Sequence, residues 1–145
     1  MGFRVEGQNK KPHYHVAAGL IWNKGNVLIT KRPKGSHLEG LWEFPGGKQE
    51  RGEGLTGCLE REIREELGLR VRAEQPFMTV GHEYAFKVIS LHVFNCTIVV
   101  GEPRPLECQE IRWVPLSGLA EYDFLPPHKQ VIKTLTNSGS GTTLD

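Results

Sequence analysis

The chain has 145 residues, of which 38% are hydrophobic and 24% charged, and its formal net charge at pH 7 is +1. These values fit one globular domain with a buried core, and they argue against a disordered chain or a protein that coats a nucleic acid polymer. Three cysteines without a C-x-x-C spacing argue against a disulfide framework or a zinc site. No apolar run approaches the roughly 18 residues of a membrane span, and residues 1–11 are too polar for a signal peptide, so we expect no membrane partner and a cytoplasmic location.

Three segments follow from the distribution of polar residues. Residues 1–12 form a polar leader, residues 13–136 a single folded domain, and residues 137–145 a tail. The tail consists mostly of Ser, Gly, Thr and Asn and has almost nothing to bury, so we expect it to be mobile.

The folded domain begins with two apolar runs, residues 15–22 and 27–31. Asn23-Lys24-Gly25-Asn26 lies between them and has the composition of a tight turn. The pattern predicts a β-hairpin.

A helix is predicted from Leu55 to Leu67, because Leu59, Ile63 and Leu67 repeat every four residues as a buried stripe. Gly68 directly afterwards predicts a left-handed cap. No Ser or Asp precedes Leu55, so the start of the helix depends on tertiary packing or on metal binding.

Three glutamates, Glu62, Glu65 and Glu66, stand at positions i, i+3 and i+4 of this helix and therefore share one face. Charged runs on helices are usually solvated surface, and Glu60 with Arg64 would form an ordinary surface pair. If the three carboxylates instead form a site, we expect them to bind a hard divalent cation such as Mg²⁺, which prefers oxygen ligands. Cys58, one turn before Glu62, is interpreted as a small packing residue.

The second half of the chain predicts further strands at residues 77–80, 88–100 and 111–114, and a closing helix at residues 127–135 that Pro126 and Pro127 open. Strands, helix, strands and helix in this order indicate an α+β protein with a mixed sheet between helices.

The helix lies within a longer pattern that resembles the signature of the Nudix hydrolase family. From average residue usage, this pattern should arise at a given start on the order of once in 10⁹. Its constrained positions are Gly47, Glu53, Arg61-Glu62-Ile63, Glu65-Glu66, Gly68 and Leu69. Residues 41–48, Leu-Trp-Glu-Phe-Pro-Gly-Gly-Lys, are similar to the MutT branch of nucleoside triphosphate pyrophosphohydrolases. The resemblance implies an α/β/α sandwich and a bound Mg²⁺, for which Mn²⁺ can substitute.

The resemblance also implies the residues of the reaction centre. The metal ligands would be the Gly46 carbonyl, the three helix carboxylates and Glu107, a loop carboxylate that equally reads as plain surface. The proton acceptor is either Glu62 or Glu107, and the sequence does not choose between them. Arg61 would orient the carboxylates through bidentate bonds and Glu53 would brace the loop, both in support of catalysis.

For the substrate, Arg32 and His37 match positions that contact the nucleotide in MutT-like enzymes, together with the turn Glu43-Phe44-Pro45-Gly46. Phe86 corresponds to an aromatic residue near the base, and a core role for it is equally open. Lys129 stands where that group has an asparagine that recognises oxidised guanine. Lysine has only donors, so this departure favours a pyrimidine substrate or a broad housecleaning role.

The sequence thus predicts a hydrolase that converts a nucleoside triphosphate to the monophosphate and pyrophosphate. An oxidised or modified deoxynucleotide would place it in DNA repair; CTP or 5-methyl-dCTP is the alternative substrate. The alternative class is a non-catalytic Nudix module that binds a nucleotide or a damaged base, but such modules tend to lose the carboxylates. Monomer and homodimer both remain open.

Overall fold

The computed structural model describes residues 10–144, and the side chains of residues 10–137. The seven strands are β1 (His13–Asn23), β2 (Asn26–Lys31), β3 (Trp42–Glu43), β4 (Gly46–Lys48), β5 (Arg70–Glu83), β6 (Val88–Val100) and β7 (Glu110–Pro115). The helices are α1 (Leu55–Leu67), a 3-10 helix (Leu116–Glu121) and α2 (Pro126–Leu144). Most of the predicted leader lies outside the described residues.

Strand β1 is the organising strand of a mixed sheet. It pairs in parallel with β6 from His13 to Ile21, and it pairs antiparallel with β4 at residues 16–18 and with β2 at residues 22 and 23. Strand β5 runs antiparallel to β6, and β2 is antiparallel to β3 and β7. Because β1 and β6 are parallel, the chain must cross over between them, and α1 lies in that crossover.

Alternate residues of β1 enter two separate cores. Ala18 and Leu20 pack into the cluster that contains the buried residues of α2, whereas Ala17 and Ile21 pack into the cluster of α1. Successive strand residues point to opposite faces, so the two helices cover opposite faces of the sheet. The predicted α/β/α sandwich is confirmed.

The predicted hairpin is present as β1 and β2. Asn23 pairs with Asn26, and the two residues between them, Lys24 and Gly25, have φ of 53° and 83°. Positive φ at both central residues is the geometry of a type I′ turn, whose twist matches that of the strands.

Helix α1 has the predicted bounds and the predicted stripe. Leu59, Ile63 and Leu67 have no exposed surface, and Cys58 is equally buried, as its interpretation as a packing residue required. Gly68 adopts the left-handed conformation (φ 65°) and donates its N–H to the carbonyl of Arg64. The N-cap residue, Gly54, provides no side-chain hydrogen bond.

We expect Gly54→Ser to stabilise the protein by roughly 0.5–1 kcal/mol, because it adds a capping hydroxyl and reduces the entropy of the unfolded chain. Gly54 has φ −78° and ψ 162°, which serine adopts freely, and a Cβ there meets nothing within 4 Å. The measurement is the free energy of unfolding in urea.

Gly52→Ser is the matched control, since a Cβ at Gly52 is also in open space but the residue has φ +80°. That substitution should destabilise by about 1 kcal/mol. Equal effects of the two serines would contradict the capping argument.

The structure extends the predictions in three places. Strands β3 and β4 are only two and three residues long, so their pairing with β1 and β2 left no periodic signal. Strand β5 spans Arg70–Glu83. The sequence predicted only residues 77–80 of it, because much of the strand is polar; it lies against β6 at one side of the sheet. Helix α2 continues to Leu144, past the predicted end at Leu135, although glycines there are poor helix formers.

Among residues 10–144, no helix is both long and apolar enough to cross a membrane.

Candidate active site

Two consecutive glycines bring strand β4 against both β1 and α1. A Cβ at Gly46 would overlap the carbonyl oxygen of Ala17, and a Cβ at Gly47 would overlap the carboxyl group of Glu62. The main chain can therefore pass next to the helix carboxylates only because these residues have no side chain. This contact explains physically why the predicted pattern contains Gly47.

The three helix carboxylates have different surroundings. Glu65 is exposed, Glu62 is half-buried and Glu66 is only 7% exposed. The Oε1 atom of Glu66 is buried and has no hydrogen-bond partner. Burial, and next the negative charge of Glu43, raises the pKa of Glu66 to about 8. A buried carboxylate oxygen without a partner is unfavourable, so this atom requires a proton or a cation.

Glu43 adds a fourth carboxylate from strand β3. Burial raises the pKa of Glu43 to about 7, with a smaller contribution from Glu62, while Arg32 acts in the opposite direction. The Nη1 atom of Arg32 donates to both carboxylate oxygens of Glu43, at 3.2 and 3.3 Å. Glu43 therefore links the helix carboxylates to Arg32.

Arg61 connects the loop before α1 to the helix face. It donates through Nε and Nη2 to the two carboxylate oxygens of Glu53, and through Nη1 to Glu62 and Glu65, each at 3.1 Å. Hydrogen bonding to Arg61 is the largest cause that lowers the pKa of Glu53 to about 2. One guanidinium thus orients three carboxylates, which is the geometry of a positioning residue. The catalytic contributions of Arg61 and Glu53 stay predictions.

Glu107 reaches the same region from the segment after β6. Its backbone N–H donates to the carbonyl of Glu66 at 3.2 Å, and its side chain is exposed. The charge of Glu107 contributes to raising the pKa of both Glu62 and Glu66, in each case less than burial does. The structure therefore places Glu107 beside the helix carboxylates, and its role as metal ligand or base stays a prediction.

A cavity of about 140 Å³ lies next to this carboxylate group. Its lining includes five of the predicted substrate residues, Arg32, His37, Glu43, Phe44 and Gly46. The Nε of Arg32 donates to the carbonyl of His37 at 2.8 Å, which ties the intervening loop to strand β2. Pro45 is buried in the same turn, and its carbonyl accepts the N–H of Gly19.

Three predicted substrate residues, Pro45, Phe86 and Lys129, are not part of the cavity lining. Phe86 is 85% exposed, in the turn between β5 and β6, and Lys129 is exposed on α2. Their neighbours take these places: Lys87 and Tyr84 line the cavity near Phe86, and His128 lines it instead of Lys129. The contact of Phe86 and Lys129 with a nucleotide therefore stays a prediction.

The sequence matches the model of the NUDIX domain family over residues 17–134. The chain belongs to the NUDIX domain family. The matched range includes the glycine turn, all of α1 and the cavity-lining residues up to His128. With its complete set of signature carboxylates, the protein is a Nudix hydrolase.

Named relatives of this Nudix chain include nucleotide-hydrolysing enzymes. It is 34% identical over 121 residues to the 8-oxo-dGTP diphosphatase of Buchnera aphidicola subsp. Schizaphis graminum, covering 83% of this chain and 92% of the relative. It is 32% identical over 111 residues to the CTP pyrophosphohydrolase of Escherichia coli K12, covering 77% and 82%. Among solved structures, the MutT protein from Methanosarcina mazei Go1 superposes with a TM-score of 0.79 at 27% identity, over 90% of this chain and 97% of that one.

The carboxylate oxygen atoms of this Nudix site are of the type that a hard divalent cation prefers as ligands. Among residues whose side chains are described, no group of three or more His, Cys, Asp or Glu is arranged, as it stands, to hold a metal ion. The Oε1 of Glu66 has no hydrogen-bond partner; burial raises the pKa of this carboxyl group most, and the charges of Glu43, Glu62 and Glu107 raise it further. Carboxylates that raise one another's pKa in this way are stabilised when a cation comes between them.

We expect the metal-free Nudix protein to lose stability as the pH rises from 7 to 8, because Glu66 is protonated in the folded state in this range and ionised in the unfolded chain. Its pKa is raised to about 8, so the folded state binds more protons between about pH 4.5 and 8, and the free energy of unfolding falls through that window. The contribution of Glu66 from pH 7 to 8 is roughly 1 kcal/mol. Urea unfolding in a chelator at both pH values measures it.

The Glu66→Gln variant should lack this part of the pH dependence and should be the more stable protein at pH 8. The same decrease in wild type and variant would show that another group titrates. Added Mg²⁺ should raise the stability of the wild type and have little effect on the variant.

A signal for His128 was present in the chain. In a helix that begins at Pro126, His128 lies three residues before Val131, and Val131 lies four residues before Leu135. These three positions share one face, whereas Lys129 points away from it. The resemblance to the family by sequence position favoured Lys129 as a substrate residue, whereas the helical periodicity favours its neighbour His128.

Proposed function

We propose that this Nudix hydrolase catalyses the Mg²⁺-dependent hydrolysis of a nucleoside triphosphate to the nucleoside monophosphate and pyrophosphate. The observation that carries the proposal is the buried, unpaired Oε1 of Glu66, whose carboxyl group is influenced by the charges of Glu43, Glu62 and Glu107; Glu43 in turn lines a cavity with Arg32, Lys48 and Lys87 on its wall. Hydrolysis of a polyphosphate needs neutralised oxygens, an in-line water and a proton acceptor, and little covalent chemistry from the protein.

The metal would be held by Glu62, Glu65, Glu66 and Glu107 with the carbonyl of Gly46. When bound, Mg²⁺ supplies Lewis acidity and activates water. Arg61 holds the loop and helix carboxylates in place, and the glycine turn keeps side chains out of the space between strand β4 and Glu62.

The proton acceptor is assigned to one of two carboxylates with different environments. Glu62 is half-buried, bonded to Arg61 and has a raised pKa, chiefly from burial, which brings it closer to the range useful for a general base. Glu107 is exposed. The variant that abolishes the acidic limb of the pH–rate profile, Glu62→Gln or Glu107→Gln, identifies the base.

Positive side chains on the cavity wall support a phosphate-bearing substrate. Arg32, Lys48 and Lys87 all line the cavity, and the pKa of Lys87 is lowered, first by burial and then by the charges of Lys48 and Arg32. Cations that raise one another's energy are stabilised by an anion between them. A triphosphate that extends along this wall from the carboxylate site, where a bound cation would neutralise it, would bring its negative charge next to Arg32, Lys48 and Lys87.

The names of the relatives include both purine and pyrimidine nucleotide hydrolases. We place this chain in the same class, as a housecleaning enzyme that removes an oxidised or modified nucleotide before it enters DNA. Lys129 lacks the acceptor of an amide, which argues against amide recognition of 8-oxo-dGTP. Its side chain is exposed and outside the cavity lining, so the choice between 8-oxo-dGTP and CTP or 5-methyl-dCTP is left to the measurement below.

The test is pyrophosphate release from dGTP, 8-oxo-dGTP, CTP, dCTP, 5-methyl-dCTP and a nucleotide sugar, each with Mg²⁺, with Mn²⁺ and with a chelator. We expect turnover of at least one triphosphate with either cation and none with the chelator. Nucleotide binding without turnover of any member would instead identify a non-catalytic Nudix module.

A further inference from the structure

Tyr14 contacts one of the three cations that line the cavity. The Nζ atom of Lys48 lies 4.3 Å from the centroid of the Tyr14 ring. Lys48 pairs with Val16 between β4 and β1, so Tyr14, two residues before Val16, is its neighbour on the same face of the sheet. Tyr14 is half-buried, packs against the core cluster of α2 and is not part of the cavity lining. The ring therefore meets the lysine at the cavity wall and does not border the cavity itself.

The backbone of Lys48 is held by the carboxylate site. Its carbonyl accepts a hydrogen bond from Nη2 of Arg61 at 3.3 Å, and Arg61 also bonds Glu62 and Glu65. A fixed backbone does not fix the ammonium, because the flexible four-carbon stem of a lysine samples many rotamers. The face of an aromatic ring attracts a cation through its quadrupole. The contact with Tyr14 therefore selects rotamers that keep the charge of Lys48 at the cavity wall.

The three cations of the wall have different partners. Arg32 donates to both carboxylate oxygens of Glu43 and is thus paired with a negative charge. Lys87 lies 5.7 Å from the centroid of the Tyr84 ring, and that ring lines the cavity. Within residues 10–137, Lys48 forms no ion pair with a carboxylate. A ring face holds a lysine without neutralising it, whereas a carboxylate would compete with a phosphate for the same charge.

We propose that Tyr14 is a positioning residue of the phosphate site, because its ring face keeps the Lys48 ammonium on the cavity wall, where it can pair with the triphosphate. The inference rests on the proposed nucleotide hydrolysis and adds to it a residue outside the cavity lining. Tyr14 does not touch the substrate and acts only through Lys48. The contact uses the ring face and not the hydroxyl group, so a phenylalanine should replace the tyrosine without loss.

Four variants separate the ring, the hydroxyl group and the charge. Tyr14→Phe keeps the ring, Tyr14→Leu keeps only an apolar side chain for the core, and Lys48→Gln removes the charge. The fourth variant combines Tyr14→Leu with Lys48→Gln. Tyr122→Leu is the matched control, since Tyr122 is also half-buried, packs against the same core cluster and lies outside the cavity lining. Circular dichroism and the melting temperature report on folding.

The experiment measures the Kd of α,β-methylene-CTP, of α,β-methylene-dGTP and of inorganic tripolyphosphate at one Mg²⁺ concentration. Tyr14→Leu should raise all three Kd values by a similar factor, roughly 3- to 5-fold, because the ring holds a cation and not a base. Lys48→Gln should raise them at least as much. Tyr14→Phe and Tyr122→Leu should bind like the wild type. For each triphosphate that is hydrolysed, KM should rise in parallel with Kd.

In the Lys48→Gln background, Tyr14→Leu should have no further effect on Kd, because the group that Tyr14 positions is absent. An equal loss in that background would overturn the proposal, and so would a Tyr14→Phe variant as weak as Tyr14→Leu. A loss confined to the two nucleotides and absent for tripolyphosphate would also overturn it, since Tyr14 would then contact the nucleoside. Failure of the proposed function has a different signature: no triphosphate is hydrolysed, while the coupling between positions 14 and 48 in tripolyphosphate binding persists.

Discussion

Glu66→Gln should lower kcat on the preferred triphosphate by on the order of 10³-fold with little change in fold, because it removes the charge of the most buried carboxylate of the site. Glutamine matches the shape of glutamate but provides one neutral acceptor and one donor where a cation needs an anionic oxygen. Pyrophosphate release at saturating Mg²⁺ measures the effect. A large rise in the Mg²⁺ concentration needed for half-maximal rate should accompany it.

Glu121→Gln is the matched control, since Glu121 is an exposed carboxylate of the 3-10 helix. It should keep the rate of the wild type. Glu65→Gln should also be impaired, and the comparison with Glu66→Gln shows how much the effect depends on burial. Unchanged turnover in both Glu65→Gln and Glu66→Gln would refute the assignment of the helix carboxylates to catalysis.

Arg61→Lys should lower kcat by about 10- to 100-fold, because a lysine ammonium cannot reproduce the fork that joins Glu53 to the helix carboxylates. The guanidinium of Arg61 contacts Glu53, Glu62 and Glu65 at once. A residue that positions the metal ligands should affect the Mg²⁺ dependence and kcat, and leave the Kd of a non-hydrolysable nucleotide in the absence of metal nearly unchanged.

Arg64→Lys, three residues further along α1 and exposed, is the matched control and should behave like the wild type. If Arg61→Lys only lowered the melting temperature and kept both kcat and the Mg²⁺ dependence, Arg61 would be a stabilising residue of the loop rather than a positioning residue of the site.

The helix and the carboxylates on it were predictable because their signal is local. The four-residue repeat of Leu59, Ile63 and Leu67 and the glycine after them determine where α1 lies and which face it buries. Once that face is known, the face of Glu62 and Glu65 follows from the helical period alone. The hairpin of β1 and β2 was predictable for the same reason, since its turn residues are adjacent in the chain.

Other parts of the fold were not predictable because their energy comes from distant partners. Strand β4 has three residues and exists through its pairing with β1. The parallel pairing of β1 with β6 joins residues more than 70 positions apart, and no local pattern encodes it. The position of Glu107 beside Glu66 depends on the segment that follows β6.

The residues on the substrate side of the site also differ in whether the sequence alone could identify them. Arg32, His37 and Glu43, which the resemblance to MutT-like enzymes had singled out, all line the cavity, and their contact with a nucleotide stays a prediction. His128 was not recognised as a cavity residue, because its position depends on burial and on a hydrogen bond to Phe44, 84 positions away in the chain. Assignment by position in the chain favoured Lys129 instead.

The sequence by itself determined the family of this protein, the position of helix α1 and the set of carboxylates on that helix, because these depend on spacings within one continuous segment. Only the tertiary structure decided which carboxylate is buried without a partner, which cations face the cavity and which side chain at the start of α2 lines it. Those properties depend on burial and on the distances between separate strands and helices, and burial controls the energy of a charge or an unpaired donor.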